Sequence, residues 1–283
     1  MKKVAIITDS SAYLPPNIIE DLGIHVVPLM LHWEDKTYRD SEDIQAEEFY
    51  THLAAADTIP TTSQTTMSEF VGLFKRLLAE DYAILAILIS SDMSGTVQSA
   101  LQAKAEMTDA PVEVLDSRLV SMPLGFMVMA AARAAKNGAD LAACKAIAEG
   151  ALPKIGVYFT VDTLKYLNKG GRINTAKRLV GSALNIKPIM VLRDGKIELL
   201  ESVRSRKKAV KRMLELTEQA IGDRTPVRIA TFHAAAEADN EALMEKAVAL
   251  FEPVEMVTTF VSPVVGAHTG PGTLSIAFMV GED

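Results

Sequence analysis

Short aliphatic runs that end abruptly in hydroxyl-rich turns, each followed at once by a helical pattern, set the strongest constraint on this chain. Leu85–Ile89 ends in Ser90, Ser91, Asp92, Met93, Ser94, Gly95 and Thr96, and a helix pattern starts there. Val4–Ile7 stops at Thr8, Asp9, Ser10 and Ser11; a helix follows, with Pro15 and Pro16 near its start and Gly23 past its end. "DTIPTTSQTTMSEFVGLFKRLLAE" sets a Thr/Ser loop before a helix whose Phe70, Leu73, Phe74 and Leu77 recur at helical spacing. "PVEVLDSRLVSMPLGFMVMAAARAAKNG" repeats the scheme, and "IHVVPLMLHW" reads as one further strand. Apolar strands alternating with helices build a parallel sheet covered on both faces.

The second half has a different grammar. A strand and helices lead into a hairpin turning at Arg193, Asp194, Gly195 and Lys196, then a long basic helix, the run "RIATFHA", another helix and a final strand pair around "HTGPG". This predicts a mixed sheet with helices mainly on one side. The fold class is therefore α/β in two domains: a parallel-sheet α/β/α domain over 1–152 and a mixed-sheet α/β domain over 153–283, with the boundary near Gly150–Lys154.

Composition narrows the function classes. The 283 residues are 49% hydrophobic but only 6% aromatic, so the interior is aliphatic and rich in Met, of which there are 13. The lone Cys144 excludes an internal disulfide and suits a reducing compartment. The run Val4–Ile7 is too short for a signal peptide, and Leu119–Ala132 falls short of the ~20 residues a membrane span needs. The expectation is a soluble cytoplasmic protein. The net charge of −7 is uneven: Lys165–Arg212 holds 14 Lys and Arg against three acids, which leaves the rest at −18. That acidic bulk argues against nucleic acid and leaves one basic face for an acidic partner or a phosphate.

The hydroxyl loops sit between a strand's carboxyl end and a helix start, the edge where open α/β sheets bind ligands. Free backbone N–H groups and the helix dipole there favour an anion. Catalytic signatures are missing. No Lys follows Gly95, so there is no P-loop; Asp92 and Thr96 stand where a nucleophile elbow needs Gly; and His25, His32, His52, His233 and His268 are too scattered for a zinc site. No metal and no cofactor is expected. Beside the loops stand Arg172 after a Gly pair, His268 in "HTGPG", and the helix "SMPLGFMVMAAA", whose Met122, Met127 and Met129 suit either core or an adaptable apolar pocket. The combination suits a ligand with one anionic end and a long apolar tail.

In order along the chain, "TDSSAYLP", "TIPTTSQ", "SSDMSGTVQSA", "VLDSR", "LKYLNKGGRI", "IKPIM", "DGKI", "VRSRKKA" and "HTGPG" together resemble the DegV family, the bacterial fatty-acid-binding proteins also called FakB. The resemblance implies a long-chain fatty acid held between two α/β domains, with Thr62, Ser63, Ser94, Gly95, Arg172, His268 and Thr269 around its carboxylate. It also implies a lipid carrier rather than an enzyme. A separate ATP-dependent fatty acid kinase of the dihydroxyacetone-kinase-like type makes the acyl phosphate, which passes to an acceptor enzyme of phospholipid synthesis. Arg204 and Arg206 become candidates for docking the kinase, and transient membrane contact is compatible with such a role. Thr65 and Val97 depart from the family, which often has Pro and an aromatic there. Two other readings stay open from the residues: a hydrolase or phosphotransferase using Ser94 or Asp9, and a sensor module in which lipid is only a structural ligand.

Overall fold

The computed structural model describes residues 2–173 and 186–281. Its first half is built on a four-stranded parallel sheet ordered β2-β1-β6-β7. The strands are β1 (Val4–Asp9), β2 (His25–Val27), β6 (Ala83–Leu88) and β7 (Val112–Asp116). β1 and β6 are buried at every position, which is why they read as unbroken aliphatic runs. Their side chains alternate between faces. Ala5, Ile7, Ile84, Ala86 and Leu88 pack on Phe70, Phe74 and Leu77 of α3 (Met67–Ala79) and on Ala100 and Ala103 of α4 (Thr96–Ala105). Val4, Ile6, Leu85 and Ile87 face the opposite layer, where α5 (Ser121–Lys136) and α6 (Leu141–Ala151) lie beside α1 (Pro16–Leu22) and α2 (Ala46–Ala55).

The expected single strand over Ile24–Trp33 is two strands in two sheets. β2 pairs with β1, but Pro28 has no N–H to continue the ladder and the Leu29 N–H donates to Ser10 Oγ at 3.0 Å. The next residues form β3 (Met30–Trp33), which lies between β4 (Lys36–Arg39) and β5 (Thr61–Ser63) in a small antiparallel sheet. The segment expected as a Thr/Ser loop thus contains β5.

The second half is a six-stranded mixed sheet ordered β10-β9-β8-β13-β11-β12. It comprises β8 (Ile155–Thr160), β9 (Lys187–Arg193), β10 (Lys196–Val203), β11 (Val227–His233), β12 (Glu255–Phe260) and β13 (Leu274–Val280). β11 and β12 pair in parallel, while β10–β9, β9–β8, β8–β13 and β13–β11 pair antiparallel. The β9–β10 hairpin turns at Asp194 and Gly195, both with positive φ, as that dipeptide predicts. α8 (Arg206–Ile221) and α9 (Glu237–Phe251) cover one face of the sheet through Met213, Leu214 and Leu243. The other face turns toward the first half, and α5 is packed between the two sheets, against β1 and β6 on one side and β8 and β13 on the other. Every residue of α5 from Ser121 to Ala132 is buried, which accounts for its apolar circumference. Among the described residues no helix is long and apolar enough to cross a membrane.

Candidate functional site

The site is assembled from five places in the chain. At the carboxyl end of β1, Asp9 is fully buried and anchors the 10–12 turn. Its Oδ1 accepts from the Ser11 N–H at 3.1 Å and the Ser11 hydroxyl at 2.5 Å, and its Oδ2 accepts from the Ile89 N–H at 2.7 Å. These bonds tie the ends of β1 and β6 together. Beyond β6, the Ser94 hydroxyl lies 2.8 Å from that of Thr96 and accepts from the Thr96 N–H at 3.3 Å. From β5, Thr62 Oγ1 lies 2.8 Å from His268 Nε2, and Ser63 Oγ lies 2.8 Å from His32 Nε2. His268 and Thr269 end α10 (Pro263–Thr269), a short helix capped by Ser262.

Burial, and then the nearby Arg172 charge, push His268 down to about 4, so its imidazole is neutral at physiological pH. Its Nδ1 is buried without a hydrogen bond, against Gly170. A buried N–H without an acceptor costs more than a bare lone pair, so the proton belongs on Nε2 and is donated to Thr62. The Thr62 hydroxyl proton is then directed onward. Arg172, at the end of the segment that follows α7 (Lys165–Lys169), donates through Nε and Nη2 to Met93 O at 3.2 and 2.9 Å and through Nη1 to Gly170 O at 2.6 Å.

One cavity of about 90 Å³ is lined by all seven candidate ligand residues: Thr62, Ser63, Ser94, Gly95, Arg172, His268 and Thr269. Ser11 and Gln64 line it too. Both stood inside quoted motifs, but nothing in their spacing assigned them to the site. Val120, Ile197, Val265 and Thr269 also border an apolar second cavity, whose far walls include Val157, Phe159 and Phe232. A hydroxyl-rich chamber and a smaller, largely apolar one beside α5 therefore share a wall. A larger void, about 530 Å³, lies elsewhere, around Asp9, Tyr13, Asp40 and Thr259, and none of the seven residues lines it.

The two proposed nucleophiles lack the partners their roles need. Both Asp9 oxygens are occupied in a fully buried position, and the side-chain partner of Ser94 is Thr96 rather than an imidazole. Of the docking candidates, Arg204 is exposed on the turn before α8, whereas Arg206 donates to Gly272 O at 2.6 Å and Asp239 Oδ2 at 2.8 Å. Arg206 therefore pins the turn that follows α10. No group of three or more His, Cys, Asp or Glu that could hold a metal occurs among the described residues.

Residues 3–280 match the family described as "Uncharacterised protein, DegV family". Protein DegV of Bacillus subtilis is 33% identical over 277 residues, covering 97% of this chain and 98% of the relative. A DegV domain-containing protein of Listeria monocytogenes is 35% identical over 280 residues, covering 99% of each. Among solved structures, a fatty-acid-binding DegV family protein from Thermus thermophilus superposes with a TM-score of 0.93 at 31% identity, covering 99% of this chain and 100% of the other. The crystal structure of DegV from Bacillus subtilis, a fatty acid binding protein, superposes with a TM-score of 0.90 at 33% identity over the same shares of the two chains. The mixed α/β architecture and matches along nearly the full length agree, and the chain belongs to the DegV family.

Proposed function

We propose that the protein binds a long-chain fatty acid, with the carboxylate among Thr62, Ser94 and His268 and the acyl chain running into the apolar cavity beside α5. The observation that carries this reading is the shared wall of the two cavities: hydroxyl and imidazole groups line one, and Val, Ile and Phe side chains line much of the other. The fatty-acid-binding relatives from Thermus thermophilus and Bacillus subtilis support it. Each buried methylene contributes about 0.8 kcal/mol, so a chain of roughly sixteen carbons has an apolar term on the order of 10 kcal/mol before ordering costs. The hydroxyls replace water around the head group, without which burying a carboxylate costs several kcal/mol.

Mass spectrometry of the purified protein, native and then solvent-extracted, tests this directly. A stoichiometric long-chain fatty acid is the expected result. An empty protein that also takes up no added fatty acid would overturn the reading. Ser94→Ala should weaken retention about 10- to 100-fold, the effect of losing one hydrogen bond to a charged group. Wild-type retention in that variant would remove Ser94 from the head-group site.

The finer role follows the resemblance. The bound acid is presented to a separate ATP-dependent kinase of the dihydroxyacetone-kinase-like type, and the acyl phosphate passes to an acceptor enzyme of phospholipid synthesis. Arg204 is exposed, which suits it to docking. Arg204→Ala should hold fatty acid like the parent but be phosphorylated more slowly by the kinase. Equal rates would leave Arg204 outside the docking face.

A further inference from the structure

Residues 90–93, the turn that forms one wall of the head-group cavity, are gripped at three points by side chains and backbone from the second half. The buried Ser90 hydroxyl donates to Gly195 O at 2.9 Å, at the tip of the β9–β10 hairpin. Asp92 faces two cations: Lys196 Nζ, beside that tip, at 3.2 Å from Oδ1, and Arg118 Nη1 at 3.0 Å from Oδ2. Arg118 also donates to Asp194 O, so one guanidinium holds both the acid and the hairpin tip. At Met93 the carbonyl accepts twice from Arg172. The tip fits tightly: a Cβ on Gly195 would lie 2.5 Å from Ser90 Oγ and 3.0 Å from Arg118 Nε, and its φ of +77° is one that glycine adopts without strain. The same hairpin carries Ile197, which walls both cavities.

The 90–93 turn itself is anchored on the first half. The Ser91 hydroxyl and N–H donate to Asp116 at 2.5 and 3.2 Å, and the Arg118 N–H donates to the same carboxylate at 3.0 Å. Moving the hairpin away from this turn would therefore break the Ser90–Gly195, Asp92–Lys196 and Arg118–Asp194 contacts together and loosen the wall in which Met93 and Ser94 stand. We propose that the hairpin tip, Asp92 and Arg118 form an ionic clasp that governs how fast the head-group cavity opens for ligand exchange. The inference rests on the fatty-acid reading for its consequence, though the clasp itself does not depend on a bound lipid. Asp92, Arg118 and Lys196 are partly exposed, with side-chain exposures of 26%, 38% and 51%, so their attraction is screened by salt.

Two measurements on the full-length protein separate the clasp from the lipid reading. The first is hydrogen–deuterium exchange on the parent, Asp92→Asn and Gly195→Ala. Amides in 90–96 and 193–198 should exchange faster in both variants, with β1 and β13 unchanged. Unchanged protection at both segments would overturn the clasp, whatever the protein binds. The second is release of a fluorescent long-chain fatty acid to acceptor vesicles of neutral phosphatidylcholine. Release from Asp92→Asn should be about fivefold faster, consistent with the loss of the one partly exposed ion pair that crosses to the hairpin, Asp92–Lys196, and of the acid that orients Arg118 toward Asp194 O. Raising the salt from about 50 mM to about 500 mM should accelerate release from the parent and leave the variant nearly unaffected. Loosened amides with parental release kinetics would overturn the gating role. Failure to load the fatty acid would count against the carrier reading alone, because the exchange data still decide whether the clasp exists.

Discussion

Replacing Asp40 with Asn should make the protein more stable at neutral pH, by about 2–4 kcal/mol near pH 7. Asp40 directly follows β4, and its N–H is bound to Leu29 O at 2.9 Å. Its carboxyl is buried and neither oxygen makes a hydrogen bond. Burial is the main force that pushes it up to about 8, and the charge of Asp9 adds to it. The Ser10 hydroxyl and the Val264 N–H approach closely enough to offset part of this. The folded chain therefore keeps a proton that the unfolded chain releases above roughly pH 4. Stability is complete below that pH and declines as the pH rises toward 8. Asn has nearly the same shape and no proton to lose. The gain should be close to zero at pH 4, grow through the neutral range and level off above pH 8. Denaturant or thermal unfolding across that range checks it. A gain independent of pH, or a loss at pH 7, would contradict the account of a buried protonated acid.

Gly170→Ala should weaken fatty-acid binding about tenfold or more while leaving the global fold intact. Gly170 lies in the ordinary helical region, with φ −74°, so alanine meets no backbone strain there. The obstacle is spatial. A Cβ would sit 2.1 Å from His268 Nδ1 and 3.0 Å from Cε1, so the imidazole must move. The ring is held on its other side by the 2.8 Å contact between Nε2 and Thr62 Oγ1, and displacing it breaks the relay that orients the Thr62 hydroxyl. Calorimetric titration with a long-chain fatty acid, alongside an unfolding curve, gives both quantities. Parental affinity with a folded variant would mean that the position of His268 is not set by Gly170, or that the ring does not matter to the ligand.

How far the sequence carried depended on where each element finds its partners. β1 and β6 were legible because burial on both faces demands unbroken aliphatic runs. The hairpin at Asp194–Gly195 was legible because positive φ at both positions restricts the residues that fit. β4 and β5 were not legible. They are four and three residues long, Lys-Thr-Tyr-Arg and Thr-Thr-Ser, and are strands only because β3 lies between them. In the candidate site, Ser94 stood out because hydroxyls cluster past the end of β6, whereas Thr62, inside β5, was named only by the family resemblance. The work of Arg172 and Arg206 did not stand out. Both bind backbone carbonyls, of Met93 and Gly272 respectively, and a carbonyl acceptor leaves no trace in residue identity. Ser11 was hidden for a related reason: its hydroxyl is committed to Asp9, a local bond that reads as an ordinary turn.

Helix α5 is packed between the two sheets and belongs to the hydrophobic cluster that also includes Ile6, Leu85, Val157, Ala230 and Ala277. A helix buried all round has no face left to present to water. Neither sheet can therefore come apart from the other without stripping α5 on one side, so the two halves are expected to share one melting transition rather than having one each, which a calorimetric scan checks. For a growing chain the consequence is temporal. The stretch up to α6 is made early, yet the part of α5 that rests on β13 stays uncovered until that strand, which ends at Val280, is in place.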